Sequence, residues 1–364
     1  MAKVKVNWYP THPTCRSVSM AKYWRLLYNE IADVDPYACK SLIKLPATDW
    51  AGGRSTMKVG VSRKLVYPLR VKAAENAALG HILDHDWADL IKYMPDSMAK
   101  VVTVHDLIPL RYRGELRDVQ LKRFSKRVSY LREADLIICV SKYTANEVND
   151  LLGISFDKMV VVPNGVALPP NIIKHTRVNR IVNRVPAMLR IGCLGSTQQR
   201  KNLAILPDAL KYAIAELGDP VTMVRAGPLV DPTLHERFVN AVGVDHFIEL
   251  GRLDDDELED FYDSVDVIVV PSLYEGFGLP VLEAMARGVP VISSDSSSLP
   301  EVAGDAPLYF DPYKPEELAD RLVQVVDKEV SEHIKKRGLE RAKEFSWRST
   351  LDGIYSAYDQ VLKL

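Results

Sequence analysis

Between Pro271 and Asp295 the sequence reads PSLYEGFGLPVLEAMARGVPVISSD, and two carboxylates, Glu275 and Glu283, stand there with seven residues between them. The preceding run, VDVIVVPS, is β-branched and apolar like a buried strand. LPVLEAMARG reads as a helix, with Pro280 in its first turn, where a missing N–H costs little. LYEGFG is then the loop at the carboxyl end of the strand, the end at which open α/β sheets bind ligands. Gly276 and Gly278 let the main chain approach a ligand closely, and free N–H groups at the positive end of a helix dipole suit a phosphate. Glu283, one turn into the helix, could accept hydrogen bonds from two ribose hydroxyls, and Glu275 on the loop could do the same for a sugar. The plainer alternative is a surface ion pair of Glu283 with Arg287 at i,i+4, beside a glycine turn that binds nothing.

The elements needed to hold such a loop recur along the chain. VVTVHDL, ADLIICVS and MVVVPNG in the first half, and LRIGCLG, VTMVRAG, HFIELG, VDVIVVPS and VPVISSD in the second, are short apolar runs ending in turn residues. Helical stretches separate them: NLAILPDALKYAIAELG, DELEDFYDSV and LPVLEAMARG, with Gly218 and Gly288 as C-terminal stops. Alternation of this kind predicts parallel sheets in βαβ units. Residues 171–187 carry scattered arginines and no apolar period, and read as a linker. The expected architecture is therefore α/β, two Rossmann-like doubly wound domains (1–170 and 188–346) facing each other across a cleft. Residues 347–364 are helical by the spacing of Leu351, Ile354, Tyr358 and Leu362, and could pack back on the first domain.

With 364 residues, the chain exceeds one ordinary core, and 47% hydrophobic with 26% charged residues describes a globular protein. No apolar run approaches the ~18 residues of a membrane span, and MAKVKVNWYP lacks the apolar stretch of a signal peptide. Cys139 and Cys193 sit in strand-like runs and read as buried thiols of a reducing cytoplasm. Residues 1–170 hold 25 Lys and Arg against 17 Asp and Glu, and the remainder 22 against 31. That asymmetry fits either an anionic partner, such as a lipid headgroup on the cytoplasmic membrane face or a phosphorylated acceptor, or surface charge without consequence. Beyond this charge nothing supports nucleic-acid binding.

The block from Gly251 to Pro312 resembles the nucleotide-sugar site of the GT4 family of retaining glycosyltransferases, whose mark is a Glu-x7-Glu motif matched by Glu275 and Glu283. TVHDLIPL (103–110), SKYTANEV (141–148), VVPNGV (161–166) and LGSTQQRKNL (194–203) resemble further family segments in the family's order, so the likeness spans about residues 80 to 330. It implies a GT-B fold, with the donor held by the C-terminal domain and the acceptor by the N-terminal one. Carried over, Glu283 would bind the donor ribose and Glu275 the sugar hydroxyls. Main-chain groups of Phe277, Gly278 and Leu279 would hold sugar and phosphate. Lys201, with Arg200 as the adjacent candidate, would neutralise the diphosphate; otherwise Lys201 is a solvated lysine at a helix start. His105, ending the run VVTVHD, would contact the donor sugar near the reacting carbon; on the residues alone it reads as a hydrogen-bonded structural histidine.

The chain departs from the family in NWYPTHPTCRSVSMAKY, where many relatives have a glycine-rich turn, and in Ser196-Thr197, where an arginine is common. The expected activity is hexosyl transfer without metal or cofactor, to a glycan or lipid-linked sugar. GDP-mannose is the first donor to consider, and UDP- or ADP-sugars come next. A sugar-nucleotide epimerase or a silent sugar-nucleotide-binding protein are the readings of another class.

Three further motifs point elsewhere and are weaker. Asp254-Asp255-Asp256 could suggest a metal, but Asp254 with Glu257 three residues on reads as a capping box. His81 and His85 have metal-ligand spacing only in a helix, whereas HILDHD reads as a strand passing into a loop. The basic segment 117–135 places Leu121, Phe124, Val128 and Leu131 on one stripe, expected as core, with a membrane-contact face as the alternative.

Overall fold

The computed structural model describes residues 3–11, 18–32, 35–41, 62–74, 77–112, 116–169 and 176–363. The chain divides into two units, Met1–Gly165 with Trp347–Leu364, and Val166–Ser346.

The first unit is built on strands β1 (Val4–Tyr9), β2 (Tyr37–Ser41), β3 (Leu79–Ile82), β4 (Ala99–Val104), β5 (Leu136–Cys139) and β6 (Met159–Val161), in the order β2-β1-β3-β4-β5-β6. Every pairing is parallel. Both sheet faces are covered, so the period-2 alternation sends apolar residues both ways. Tyr9, Ile82, Val102, Val104, Ile137 and Cys139 join one core, against Phe124 and Val128 of the helix Asp118–Val128. The stripe expected in that basic segment is thus core at Phe124, Val128 and Leu131, while Lys122, Arg123 and Lys126 are exposed.

On the opposite face, Val6, Trp8, Val101 and Ile138 pack with Leu351, Ile354 and Tyr358 of the helix Trp347–Leu362. Hydrogen bonds fix that helix as well. Trp8 Nε1 donates to the Tyr358 hydroxyl at 2.9 Å, which lies 2.7 Å from His81 Nδ1, and Arg348 pairs with Asp35 at 2.9 Å. Burial pushes the His81 imidazole down to about 3, which keeps it neutral in this chain of bonds.

The second unit carries β7 (Leu189–Leu194), β8 (Val221–Ala226), β9 (Phe247–Gly251), β10 (Val267–Val270), β11 (Val291–Ser294) and β12 (Leu308–Phe310), again all parallel, in the order β12-β11-β10-β7-β8-β9. Gly218 ends the helix Leu206–Leu217 in a left-handed conformation, and Gly288 follows the helix Leu279–Ala286 with φ +65°, as the sequence suggests. The linker expected at 171–187 falls inside this unit. Residues 171–175 lie outside the described residues, but Arg177–Val182 is a helix with Val178 and Val182 buried. Its N-terminal amides are held from a distance: Thr176 N and Asn179 N both donate to the buried Asp260 carboxylate, at 2.7 and 3.0 Å.

Cys139 and Cys193 are buried, and burial pushes their thiols up to about 12 and about 11, as expected of inert cysteines. Asp254 caps the helix Asp255–Asp263 in a capping box with Glu257, and Asp106 accepts the Ile108 amide in a turn at 3.1 Å. No described helix is long and apolar enough to cross a membrane.

Candidate functional site

In the second sheet β8 and β9 lie on one side of β7, while β10 to β12 lie on the other. The strand order therefore reverses between β7 and β10, and the crevice outside their carboxyl ends is where this topology binds ligands. The loops that leave those two strands carry Lys201 and Glu275. Their meeting is a consequence of the strand order.

After β7 the chain turns through Gly195 and reaches a single 3₁₀ turn, Gln199–Lys201, closed by Asn202 in the left-handed region at φ 52°. The Asn202 side chain donates to the Pro312 carbonyl at 2.7 Å. Gly195 is held by its N–H, which donates to the Ala226 carbonyl at 3.0 Å, and its carbonyl runs close against Gly227. Gly227 has φ +139°, and a Cβ there would stand 2.0 Å from the Gly195 carbonyl oxygen, so only glycine permits the approach. That same carbonyl accepts from Arg225 Nη2 at 3.1 Å. Lys201 lies alongside Gly195, with Cε 3.6 Å from the position a Cβ would take.

After β10 the loop is buried from Tyr274 to Gly278. Glu275 is 7% exposed, and Lys201 Nζ donates to its Oε1 at 2.5 Å. Ser272 Oγ donates to the same oxygen at 2.7 Å, and Arg200 Nη1 lies 3.4 Å from Oε2. Burial alone would raise the Glu275 pKa, but the two cations and the hydrogen bonds from Lys201 and Ser272 outweigh it and hold the carboxyl below its ordinary range. Glu275 is therefore ionised at neutral pH, and these three groups together sum to one positive charge. Lys201 is not a solvated lysine. Its side chain, like that of Arg200, is only 13% exposed.

Two serines that sequence reasoning missed fix the loop's main chain. Glu275 N donates to Ser297 Oγ at 2.8 Å, and Ser298 Oγ donates to the Glu275 carbonyl at 2.9 Å. Ser297 does this from a positive φ of 56°, an uncommon conformation for a residue with a Cβ. The run of serines after β11 was the available signal. Gly278 begins the helix Leu279–Ala286 at φ +101°, and a Cβ there would come 2.6 Å from Leu299 Cδ2. Gly276 and Phe277 are buried beside it, and Leu279 is half-buried.

Glu283 is half-buried one turn along that helix and accepts from the Tyr262 hydroxyl at 3.2 Å. Arg287 makes its bidentate ion pair with Glu259, Nε to Oε2 at 2.7 Å, and meets Glu283 through its carbonyl at 2.9 Å. The second unit thus brings Arg200 and Lys201 against Glu275, with Gly276, Phe277, Gly278 and Leu279 following in the same loop and Glu283 on the helix into which it leads.

His105 belongs to the first unit, at the carboxyl end of β4. It is buried, and Nε2 is 2.9 Å from the Leu83 carbonyl, which can only accept. Nε2 therefore carries the proton, and Nδ1 is left as an acceptor. Burial holds the imidazole below its usual pKa, with Asp84 opposing that shift and His85 adding to it. In this sheet the order reverses between β1 and β3, and there Thr11 donates to Asp84 at 2.6 Å. Residues 12–17 of the departing N-terminal segment lie outside the described residues.

Residues 80–168 match the family model described as Glycosyltransferase Family 4, and residues 188–328 the one described as Glycosyl transferases group 1. The chain is 28% identical over 279 residues to the O-antigen chain mannosyltransferase B of Escherichia coli, covering 73% of this chain and 72% of that protein. Identity to the serotype-specific mannosyltransferase WbdA of Escherichia coli is also 28%, over 72% of this chain but only 34% of that protein's length. Among solved structures, sucrose-phosphate synthase from Thermosynechococcus elongatus matches with a TM-score of 0.72 at 20% identity, over 99% of this chain and 100% of that one. The two parallel six-stranded sheets are those of the GT-B fold.

Proposed function

The chain belongs to the family 4, group 1 glycosyltransferases, and from that premise we propose that it moves mannose from GDP-mannose to a hydroxyl of a growing glycan or lipid-linked sugar, with retention of the anomeric configuration. The observation that carries the reading is the ionised, buried Glu275 pinned by Lys201 and Arg200 at the strand-order reversal of the second sheet. A buried carboxylate with cations on one side is suited to hold neutral sugar hydroxyls, and the surplus positive charge suits a diphosphate. The mannosyltransferases among the relatives favour mannose as the sugar.

In this reading Glu275 orients the sugar, and the main chain of Phe277, Gly278 and Leu279 contacts sugar and phosphate. Glu283 receives the ribose hydroxyls. Lys201 and Arg200 stabilise the negative charge that grows on the departing diphosphate, an effect on the order of 10²–10³ in rate for one such donor. They supply this charge without a metal ion. The acceptor's proton passes to the leaving phosphate, so no side chain serves as nucleophile. His105, neutral and with Nδ1 as an acceptor, takes one hydroxyl of the sugar.

The test is nucleotide release from GDP-mannose, UDP-glucose and ADP-glucose, with and without a mannose-terminated acceptor, and the anomeric configuration of the product by NMR. Acceptor-dependent release of GDP with an α-linked product is expected. Release from a UDP- or ADP-sugar instead would replace the donor, and a β-linked product would rule out retention.

A further inference from the structure

Tyr262 lies on the helix Asp255–Asp263, 1% exposed, one turn beyond Glu259. Both residues reach the neighbouring helix Leu279–Ala286 and its C-terminal Arg287. The Tyr262 hydroxyl donates to Glu283 Oε2 at 3.2 Å, while Arg287 stacks over the Tyr262 ring at 4.9 Å and is held in a bidentate pair by Glu259. Arg287 in turn donates to the Glu283 carbonyl at 2.9 Å. The ring is therefore clamped from one side by a guanidinium that is itself fixed twice, and the phenol has little freedom to turn away from the carboxylate.

We propose that Tyr262 is a positioning residue for the donor, its hydroxyl holding the Glu283 carboxylate in the one rotamer that receives the ribose hydroxyls. The inference rests on the reading of Glu283 given above. A glutamate on a helix surface samples several rotamers, and ordering it at the moment of binding opposes affinity. A fixed donor on one carboxylate oxygen lowers that cost. Burial and the neighbouring Glu283 keep the phenol protonated, as a donor must be.

The distinguishing measurement is the ratio of dissociation constants for GDP and 2′-deoxy-GDP on the full chain, with UDP and ADP and their 2′-deoxy forms tried in turn if GDP does not bind. A hydroxyl bonded to a charged group sets this ratio at about tenfold or more in the wild type. Glu283→Gln should bring it close to unity. Tyr262→Phe should reduce it to roughly threefold, weakening GDP more than 2′-deoxy-GDP, which keeps its 3′-hydroxyl, whereas a purely structural loss would weaken both alike. A ratio that collapses in Glu283→Gln but stays intact in Tyr262→Phe overturns the positioning role and spares the ribose assignment. A ratio untouched by Glu283→Gln removes that assignment, and this inference with it, as does a folded wild type that binds no nucleotide. Should Tyr262→Phe fail to fold, 3-fluorotyrosine at position 262 gives a second reading. Its fluorine resonance should move more on saturation with GDP than with 2′-deoxy-GDP, and equal shifts would overturn the proposal.

Discussion

Glu275→Gln removes one charge and almost no volume, and its effect on stability can be worked out from the site. The Glu275 side chain is 9% exposed and those of Lys201 and Arg200 are 13% exposed, so the substitution leaves two cations together with little water to screen them. Removing one partner of a buried pair costs about 3–5 kcal/mol, and the lower end, about 3 kcal/mol, is expected here because both cations keep a rim of solvent. In a unit of this size each kcal/mol corresponds to roughly 2–4 °C, so the transition of the second unit should fall by roughly 6–12 °C at neutral pH. The pH dependence has a defined sign. Burial works to raise the Glu275 pKa, but Lys201 and Arg200 reverse it and the folded value is depressed. Such a group contributes stability above its unfolded pKa, about 4.3, and loses it as pH falls through the folded value. Protonated Glu275 is close to glutamine, so the gap between the two proteins should narrow below about pH 4.3 and close beneath the folded pKa. Scanning calorimetry of both proteins from neutral pH downward reads this directly. Pyrophosphate, which supplies negative charge, should restore more stability to the glutamine variant than to the wild type. A gap absent at neutral pH, or one that persists unchanged into acid, refutes the pairing on which the site is built.

Gly227→Ala places a methyl 2.0 Å from the Gly195 carbonyl and must shift the loop against which Lys201 lies, so nucleotide titration should show weaker binding alongside a lower melting temperature. Unchanged affinity would disconnect the glycine pair from the site. Ser297→Ala leaves the buried Glu275 N–H without its acceptor, a loss of about 1–3 kcal/mol by urea unfolding. Ser297→Gly loses the same bond but relieves the positive φ, so it should be the milder change by about 1 kcal/mol; alanine outperforming glycine would mean the strain is absent. Ending the chain at Ser346 strips Leu351, Ile354 and Tyr358 from one core and leaves Trp8, His81 and Asp35 without the partners they have on that helix. Limited proteolysis should then digest the first unit and spare the second, and a resistant first unit would show the helix to be dispensable.

Much of the fold was legible because the central strands of a parallel sheet are buried on both faces and read as unbroken apolar runs, as in LIIC of β5 or VIVV of β10. Two of the edge strands were not, although β6 and β9 at the opposite edges were. YACKS in β2 and LYF in β12 lie at the ends of their sheets; the first mixes polar with apolar residues and the second is only three residues long, so nothing local separates them from loop. The helix Arg177–Val182 stayed hidden inside an expected linker for a related reason. It shows only two buried valines, and the carboxylate that receives its amides, Asp260, stands more than eighty residues along the chain.

Read locally, the site offers a lysine at a helix start and a glutamate in a glycine turn, 74 positions apart. Each has an ordinary explanation, and neither points to the other. What joins them is that β7 and β10 are neighbours although β8 and β9 come between them in the chain, which strand-like runs in sequence cannot express. Glu283 and Arg287 make the converse case. Their spacing of four permits an ion pair, yet the guanidinium is taken by Glu259 from the adjacent helix, whose Tyr262 also reaches Glu283. Spacing states which contacts a helix allows, and packing between helices chooses among them. Here the Arg287 guanidinium is taken by Glu259, while the Tyr262 hydroxyl from the same neighbouring helix donates to one oxygen of the Glu283 carboxylate.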